Sequence, residues 1–271
     1  MLNTATIMDL AEARNIWTAL RQEAVTASAR EPAMAGLLRA AILDHDTLED
    51  ALAVHLAEKL GSSRLSAASV HELCLHAFAE DPDLPARLER DLRAVRSRDP
   101  ACRSHLQPFL FYKGFAALQA HRVGHWLWQR ERETTAFHLQ SRVSELLQVD
   151  IHPAARLGAG IFIDHATGVV IGETSVVGDD VSILQSVTLG GNGKERGDRH
   201  PKIGRGVLIS VGASVLGNIR VGDEARVAAG SVVLENVPPH STVAGVPARL
   251  VRGPACMSPG LSMEHFFGEG I

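Results

Sequence analysis

A six-residue period governs the second half of the chain. Ile151, Leu157, Ile163 and Val169 stand six apart, and after the exception Ser175 the phase resumes at Val181 and Val187. An insertion interrupts it. The rhythm restarts at Ile203 and runs through Ile209, Val215, Val221, Val227 and Val233. Small residues often follow four places after the aliphatic ones, at Ala155, Thr167, Ala213, Ala225 and Ser231, and Gly158, Gly204 and Gly222 mark turns. A unit this short cannot bury its apolar side chain alone, but stacked units can. Six residues make one short strand and turn, and three such units close a triangular coil. The core of such a coil is narrow, so branched aliphatics fit and aromatic rings do not. Between residues 141 and 265 the one aromatic is Phe162. Recurring glycines and β-branched residues disfavour a helix here. A barrel or sandwich would space its strands irregularly.

Residues 1–148 read differently. Apolar residues recur at helical spacing in Leu48, Leu52, Leu56 and Leu60, and again in Leu84, Leu88, Leu92 and Val95. Asp46 three before Glu49, and Ser69 three before Glu72, suit helix starts, and Gly61 suits a helix end. The sequence therefore divides into an α-helical domain at 1–148, a solenoid at 149–252 that carries a loop at 190–202, and a flexible tail at 253–271. The length of 271 residues is ample for two cores.

A net charge of −4 without clustered basic residues gives no nucleic-acid surface. Cys74, Cys102 and Cys256 are odd in number and far apart, which fits a reducing cytosol and no paired metal motif. No apolar run is long enough to span a bilayer and no leader pattern opens the chain, so a cytoplasmic protein without membrane attachment is expected.

Three segments could carry chemistry. The loop Gly190 to Lys202 has four glycines and strong charge, so it must leave the solenoid. It is not a phosphate-binding P-loop, since Glu195 follows Gly193-Lys194 and the required spacing is missing. Asp164-His165-Ala166-Thr167-Gly168 directly follows the inward Ile163, which places its polar side chains at an outer turn. Asp150 precedes this pair by close to one coil. Adjacent coils stack at about 4.8 Å, near enough for a carboxylate to reach the His165 ring. A serine hydroxyl is a poor nucleophile at neutral pH. A neutral imidazole can take its proton, and a carboxylate on the other ring nitrogen steadies the imidazolium. Taken alone, His165 could equally be a turn histidine. His121 and His125 have the i, i+4 spacing of a metal pair but lack the glutamate of a metalloprotease motif, and they stay unassigned with His152.

Asp164 to Gly168, Val181 to Gly191, Gly197 to Ile203, Gly217-Asn218-Ile219 and Ala229 to Val233 together resemble the serine acetyltransferases among the hexapeptide-repeat acyltransferases. The resemblance spans about 99–252 and implies an α+β fold, a helical domain followed by a left-handed parallel β-helix. It implies acetyl transfer from acetyl-CoA, a co-substrate, to L-serine, with no tightly bound cofactor and no metal. By position, His165 matches the family's general base and Asp150 its carboxylate partner. Asp164, Arg199 and His200 match residues that hold serine, with His200 also among the catalytic set and Arg199 on the substrate carboxylate. Asp99-Pro100 matches a segment that meets the substrate amine. Asp99 beside a proline also suits a helix cap. Gly191, Arg226 and Ala229 match positions along the CoA groove.

The resemblance further implies a homotrimer or a dimer of trimers, and inhibition by L-cysteine. It implies docking to O-acetylserine sulfhydrylase through the acidic tail that ends in Glu269 and Ile271. Three other readings compete: an acyltransferase for a sugar, antibiotic or other amino acid, a zinc carbonic anhydrase using His152, His165 and His200, and a non-catalytic partner that serves only through its tail.

Overall fold

The computed structural model describes residues 4–193, 196–252 and 258–263, with the backbone alone for 4–15 and 252. It forms two compact units, 1–112 and 113–271.

The first unit is helical: α1 (Thr4–Arg30), α2 (Ala35–Leu38) running into a π-turn at Arg39–Leu43, α3 (Leu48–Leu60), α4 (Ala67–Glu80), α5 (Leu84–Arg98) and α6 (Leu106–Phe111). The apolar stripes read from the sequence are the buried faces. Leu48, Leu52, Leu56, Leu60, Leu84, Leu88, Leu92 and Val95 are all buried. Helices α3 and α4 start at Thr47 and Ser66, not at Asp46 and Ser69. Both caps have extended backbone, which lets each hydroxyl accept the third N–H onward, from Asp50 and Ser69. Gly61 closes α3 as expected. Cys74 and Cys102 are buried free thiols.

The second unit opens with α7 (Lys113–Trp128) and α8 (Glu133–Leu147), followed by the solenoid. One face stacks Val149–Ile151, Val169–Ile171, Thr188–Gly190, Ser214–Leu216 and Val232–Val233 as parallel neighbours. The second stacks Arg156–Leu157, Val176–Val177, Lys202–Ile203 and Arg220–Val221. The third stacks Phe162–Ile163, Ser182–Ile183, Leu208–Ile209, Arg226–Val227 and Thr242–Gly245, and an antiparallel strand, Ala248–Arg252, closes its edge.

The core is built from vertical columns. Ile151, Ile171, Leu189, Val215 and Val233 form one, and Ile163, Ile183, Ile209, Val227 and Val243 another. A second inward position lies two residues earlier in each repeat and is buried at Ala155, Ile161, Ser175, Val181, Val187, Ala213, Ala225 and Ser231. The period read from the sequence therefore changes columns. From Ile163 the next strand residue is Ile171, eight places on and not six, so Val169, Val181 and Val187 occupy the second column. Ser175 is no exception, because that column accepts small residues.

The two additional residues lie in the corner Asp164–Gly168. There the chain takes left-handed φ at His165 (54°), Ala166 (62°) and Gly168 (75°). Ala166 is pinned inside while His165 stands exposed at the tip. Helix α7 braces this coil. A Cβ on Gly114 would lie 2.0 Å from the Ile163 carbonyl oxygen, so only glycine lets the helix approach so closely. Arg122 donates to the Gly158 carbonyl at 2.8 Å and His125 Nδ1 to that of Pro153 at 2.7 Å. Lys113 reaches the Thr167 hydroxyl.

Part of the stretch expected as tail is docked. Residues Pro259–Ser262 form α9, with Pro259 and Gly260 buried. Gly260 N–H donates to the Gly206 carbonyl at 2.8 Å, and Ser182 Oγ donates to the Gly260 carbonyl at 2.6 Å. Among the described residues no helix is long and apolar enough to cross a membrane.

Candidate active site

The insertion returns to the solenoid as an arm, Asp198 to Lys202, that lies over the corner Gly172-Glu173-Thr174. Lys202 pairs in register with Val176, which carries His200 over Thr174. Thr174 Oγ1 accepts the N–H groups of Arg199 and His200, each at 3.0 Å, and stands 2.9 Å from His200 Nδ1. Thr174 N–H donates to the same Nδ1 at 3.2 Å. The His200 ring is packed so closely on Gly172 that a Cβ there would lie 2.0 Å from Nε2. Arg199 Nη2 pairs with Glu173 Oε2 at 2.7 Å, and Nη1 donates to the Gly197 carbonyl at 3.1 Å. Lys202 Nζ closes the arm onto the Thr174 carbonyl at 2.9 Å and pairs with Asp198. An open cleft of about 310 Å³ adjoins this network, lined by Trp128, Ala154, Arg156, Glu173, Thr174 and Asp198.

Charge within the network follows from these contacts. The hydrogen bond from Arg199 holds the Glu173 carboxyl below the usual range, against desolvation. Burial and then the Arg199 charge pull His200 below the ordinary imidazole value. Burial lowers His152 too. Its ring sits edge-on to Trp128 and Phe137, with centroids 5.2 and 5.4 Å away.

The structure brings some of the expected residues together and leaves others apart. Arg199 and His200 are neighbours on the arm, and Gly191 lies against the Arg199 stem, where a Cβ would meet Cγ at 3.3 Å. His165 stands beside Asp164, with Nε2 at 3.7 Å from Oδ2. Among the described residues Asp150 makes no ion pair with His165. Its register partner is Val170, past the corner, and its Oδ1 accepts from Gln140 Nε2 at 2.6 Å. Arg226 is buried and Ala229 exposed. Val227, next to Arg226, lies three rungs along its column from Ile163, roughly 14 Å along the solenoid at the usual strand spacing.

In the first unit, Asp99 ends α5 and its carboxylate accepts the Ala101 N–H at 2.8 Å across an exposed Pro100, a turn-forming role. In the second unit, burial drives the His121 pKa well down and its ring hydrogen-bonds the Ala155 backbone, while His125 holds Pro153, so both brace the first coil. Among the described residues no three His, Cys, Asp or Glu side chains gather as a metal site. Glu269 and Ile271 lie outside the described residues.

Glu173 and Thr174 were missed in the sequence. The signal was available, since restoring the strand register across the insertion sets position 174 beneath position 200.

Residues 16–120 match the family model "Serine acetyltransferase, N-terminal", and residues 200–235 match "Bacterial transferase hexapeptide (six repeats)". The serine acetyltransferase of Escherichia coli strain K12 is 51% identical over 273 residues, covering 97% of this chain and 100% of that protein. A solved serine acetyltransferase from Brucella abortus strain S19, in complex with coenzyme A, is 49% identical with a TM-score of 0.88, covering 90% of this chain and 97% of that one. Another, in complex with cysteine, is 46% identical with a TM-score of 0.92, covering 94% and 99%. The solenoid is thus the left-handed β-helix of the hexapeptide proteins. With likeness running through both units at this identity, the chain belongs to the serine acetyltransferase family.

Proposed function

We infer that this protein transfers the acetyl group of acetyl-CoA to the hydroxyl of L-serine, giving O-acetyl-L-serine and CoA. The observation that carries this reading is the Arg199–His200 arm seated on the Gly172–Thr174 corner. A planar guanidinium beside an open cleft suits the carboxylate of a small amino acid. By resemblance, Asp99 is proposed to meet the substrate ammonium, and Gly191, Arg226 and Ala229 to line the CoA arm.

His165 is proposed as the base. Its exposed imidazole takes the serine hydroxyl proton as the oxygen attacks the thioester carbonyl. The tetrahedral intermediate then collapses, the C–S bond breaks, and the same proton passes to the departing thiolate. Asp164 is the carboxylate near the ring in this structure, and Asp150 would join it on releasing Gln140. L-cysteine shares the carboxylate and amine of serine, so it is proposed as a competing inhibitor.

The remaining proposals rest on the family likeness: a homotrimer or dimer of trimers, a cytoplasmic setting, and docking to O-acetylserine sulfhydrylase through the end at Glu269 and Ile271. The helical part at 1–148, the solenoid at 149–252 and the segment at 253–271 are proposed to divide these tasks.

The test is acetyl-CoA consumption against L-serine, homoserine and a galactoside, repeated with added L-cysteine. Serine should be the preferred acceptor and cysteine should suppress turnover. A preference for homoserine or the galactoside would overturn the reading.

A further inference from the structure

The corner beneath the arm fixes more than its position. Backbone N–H groups only donate, so those of Arg199 and His200 take both lone pairs of Thr174 Oγ1. The hydroxyl proton is left to donate, and two acceptors face it: His200 Nδ1 at 2.9 Å and the Asp198 carboxylate. The N–H of Thr174 points at that nitrogen from 3.2 Å. The N–H can only donate, and the hydroxyl oxygen, already accepting two N–H groups, has no lone pair left for an Nδ1 proton. Nδ1 therefore carries none, and the neutral ring holds its proton on Nε2. The Asp198 carboxylate, whose principal partner is Lys202, also hydrogen-bonds the Thr174 side chain, but the Thr174 N–H donates to Nδ1 whichever acceptor takes the hydroxyl proton. Gly172 lets the backbone lie directly against the ring, since a Cβ there would fall 2.0 Å from Nε2.

We propose that Thr174 is a positioning residue that fixes His200 as the neutral Nε2–H tautomer, so that His200 serves the acyl transfer as a hydrogen-bond donor and not as a base. The proposal rests on the acetyltransferase reading above. A donor at Nε2 suits an oxygen carrying negative charge, either the substrate carboxylate or the thioester oxygen in the tetrahedral intermediate. The charged and titratable groups around His200 are Arg199, Glu173, Lys202 and His152. Burial and Arg199 both favour the uncharged ring, which agrees with the assignment from geometry.

The experiment is ¹⁵N NMR of histidine-labelled protein near pH 7.5, with His200 assigned through His200→Gln, on the wild type and on Thr174→Val and Thr174→Ser. The wild type should show a pyridine-type Nδ1 and a pyrrole-type Nε2 at His200. Thr174→Val should mix the tautomers and lower kcat/KM for serine by about 10- to 100-fold, the cost of a buried group left unpaired. Thr174→Ser, which keeps the hydroxyl, should restore both. A rise in KM assigns the donor to the substrate carboxylate, and a fall in kcat assigns it to the thioester oxygen. A pyrrole-type Nδ1 in the wild type overturns the proposal, as does a Thr174→Val protein with wild-type tautomer and kinetics. If Thr174→Val does not fold, the wild-type spectrum and Thr174→Ser still decide. A wild type that acetylates no serine would end the functional reading while the tautomer remained measurable.

Discussion

Arg199 and Glu173 form an ion pair at 2.7 Å that ties the arm of the insertion to the corner of the preceding coil. The pair is partly exposed, so its worth is modest, about 1 kcal/mol at most. Its consequence is orientation, because with the Gly197 carbonyl it fixes the direction of the guanidinium beside the cleft where a substrate carboxylate is proposed to bind. Glu173→Gln should therefore raise KM for serine by up to about 5-fold with kcat little changed, read from steady-state kinetics. Because the Glu173 pKa is depressed, the pair persists at neutral pH and weakens only as pH falls through the acid range.

Gly172→Ala should damage the site more. The new methyl carbon would lie 2.0 Å from His200 Nε2 and 2.1 Å from Cδ2, and Thr174 tethers that ring. Overpacking of this kind costs about 1–3 kcal/mol. Denaturant unfolding should show that loss, and kcat/KM for serine should fall with it.

How much of this was legible in the sequence depended on what each residue needed to reveal itself. The branched aliphatics and the missing aromatics disclose a narrow stacked core, because no other packing accepts that spacing. The change of column at Asp164–Gly168 was hidden, since Val169, Val181 and Val187 satisfy the same six-residue rhythm from the second buried position. That bulge is what lifts His165 onto an exposed tip. Arg199 and His200 were visible as a charged, glycine-rich insertion. Glu173 and Thr174 were not, because their meaning comes only from the strand register across that insertion. Asp150 showed the converse, close to one coil from His165 by counting yet engaged with Gln140 in the fold.

The helical unit carries an acid-sensitive element. His55 is buried and stacks on Phe109 at 5.8 Å between ring centroids. Burial, with Lys59 second, lowers its pKa from 6.5 to about 4. The unfolded chain takes up a proton near 6.5 while the fold does not, so this contribution to stability is complete above that pH. It is lost as pH falls from 6.5 to about 4, by roughly 3 kcal/mol. Denaturation followed by circular dichroism from pH 7.5 to 4 should show a shallower acid decline in His55→Leu than in wild type. Parallel profiles would remove His55 as the cause.

Gly260 anchors α9 where a Cβ would lie 2.5 Å from the Asp180 carbonyl oxygen and 2.8 Å from Gly206. Gly260→Ala should lift the segment. Hydrogen exchange should then speed up at the amides of residues 260 and 263, which donate to Gly206 and Pro259 in the docked state. Unchanged protection would mean that the segment is held elsewhere.

The most direct test is CoA release from acetyl-CoA and L-serine by His165→Ala, compared with wild type under saturating substrates. If the exposed imidazole at this corner is the base, kcat falls by about 10²- to 10⁴-fold while the fold is kept. Turnover near the wild-type rate would contradict the assignment and remove His165 from the chemistry.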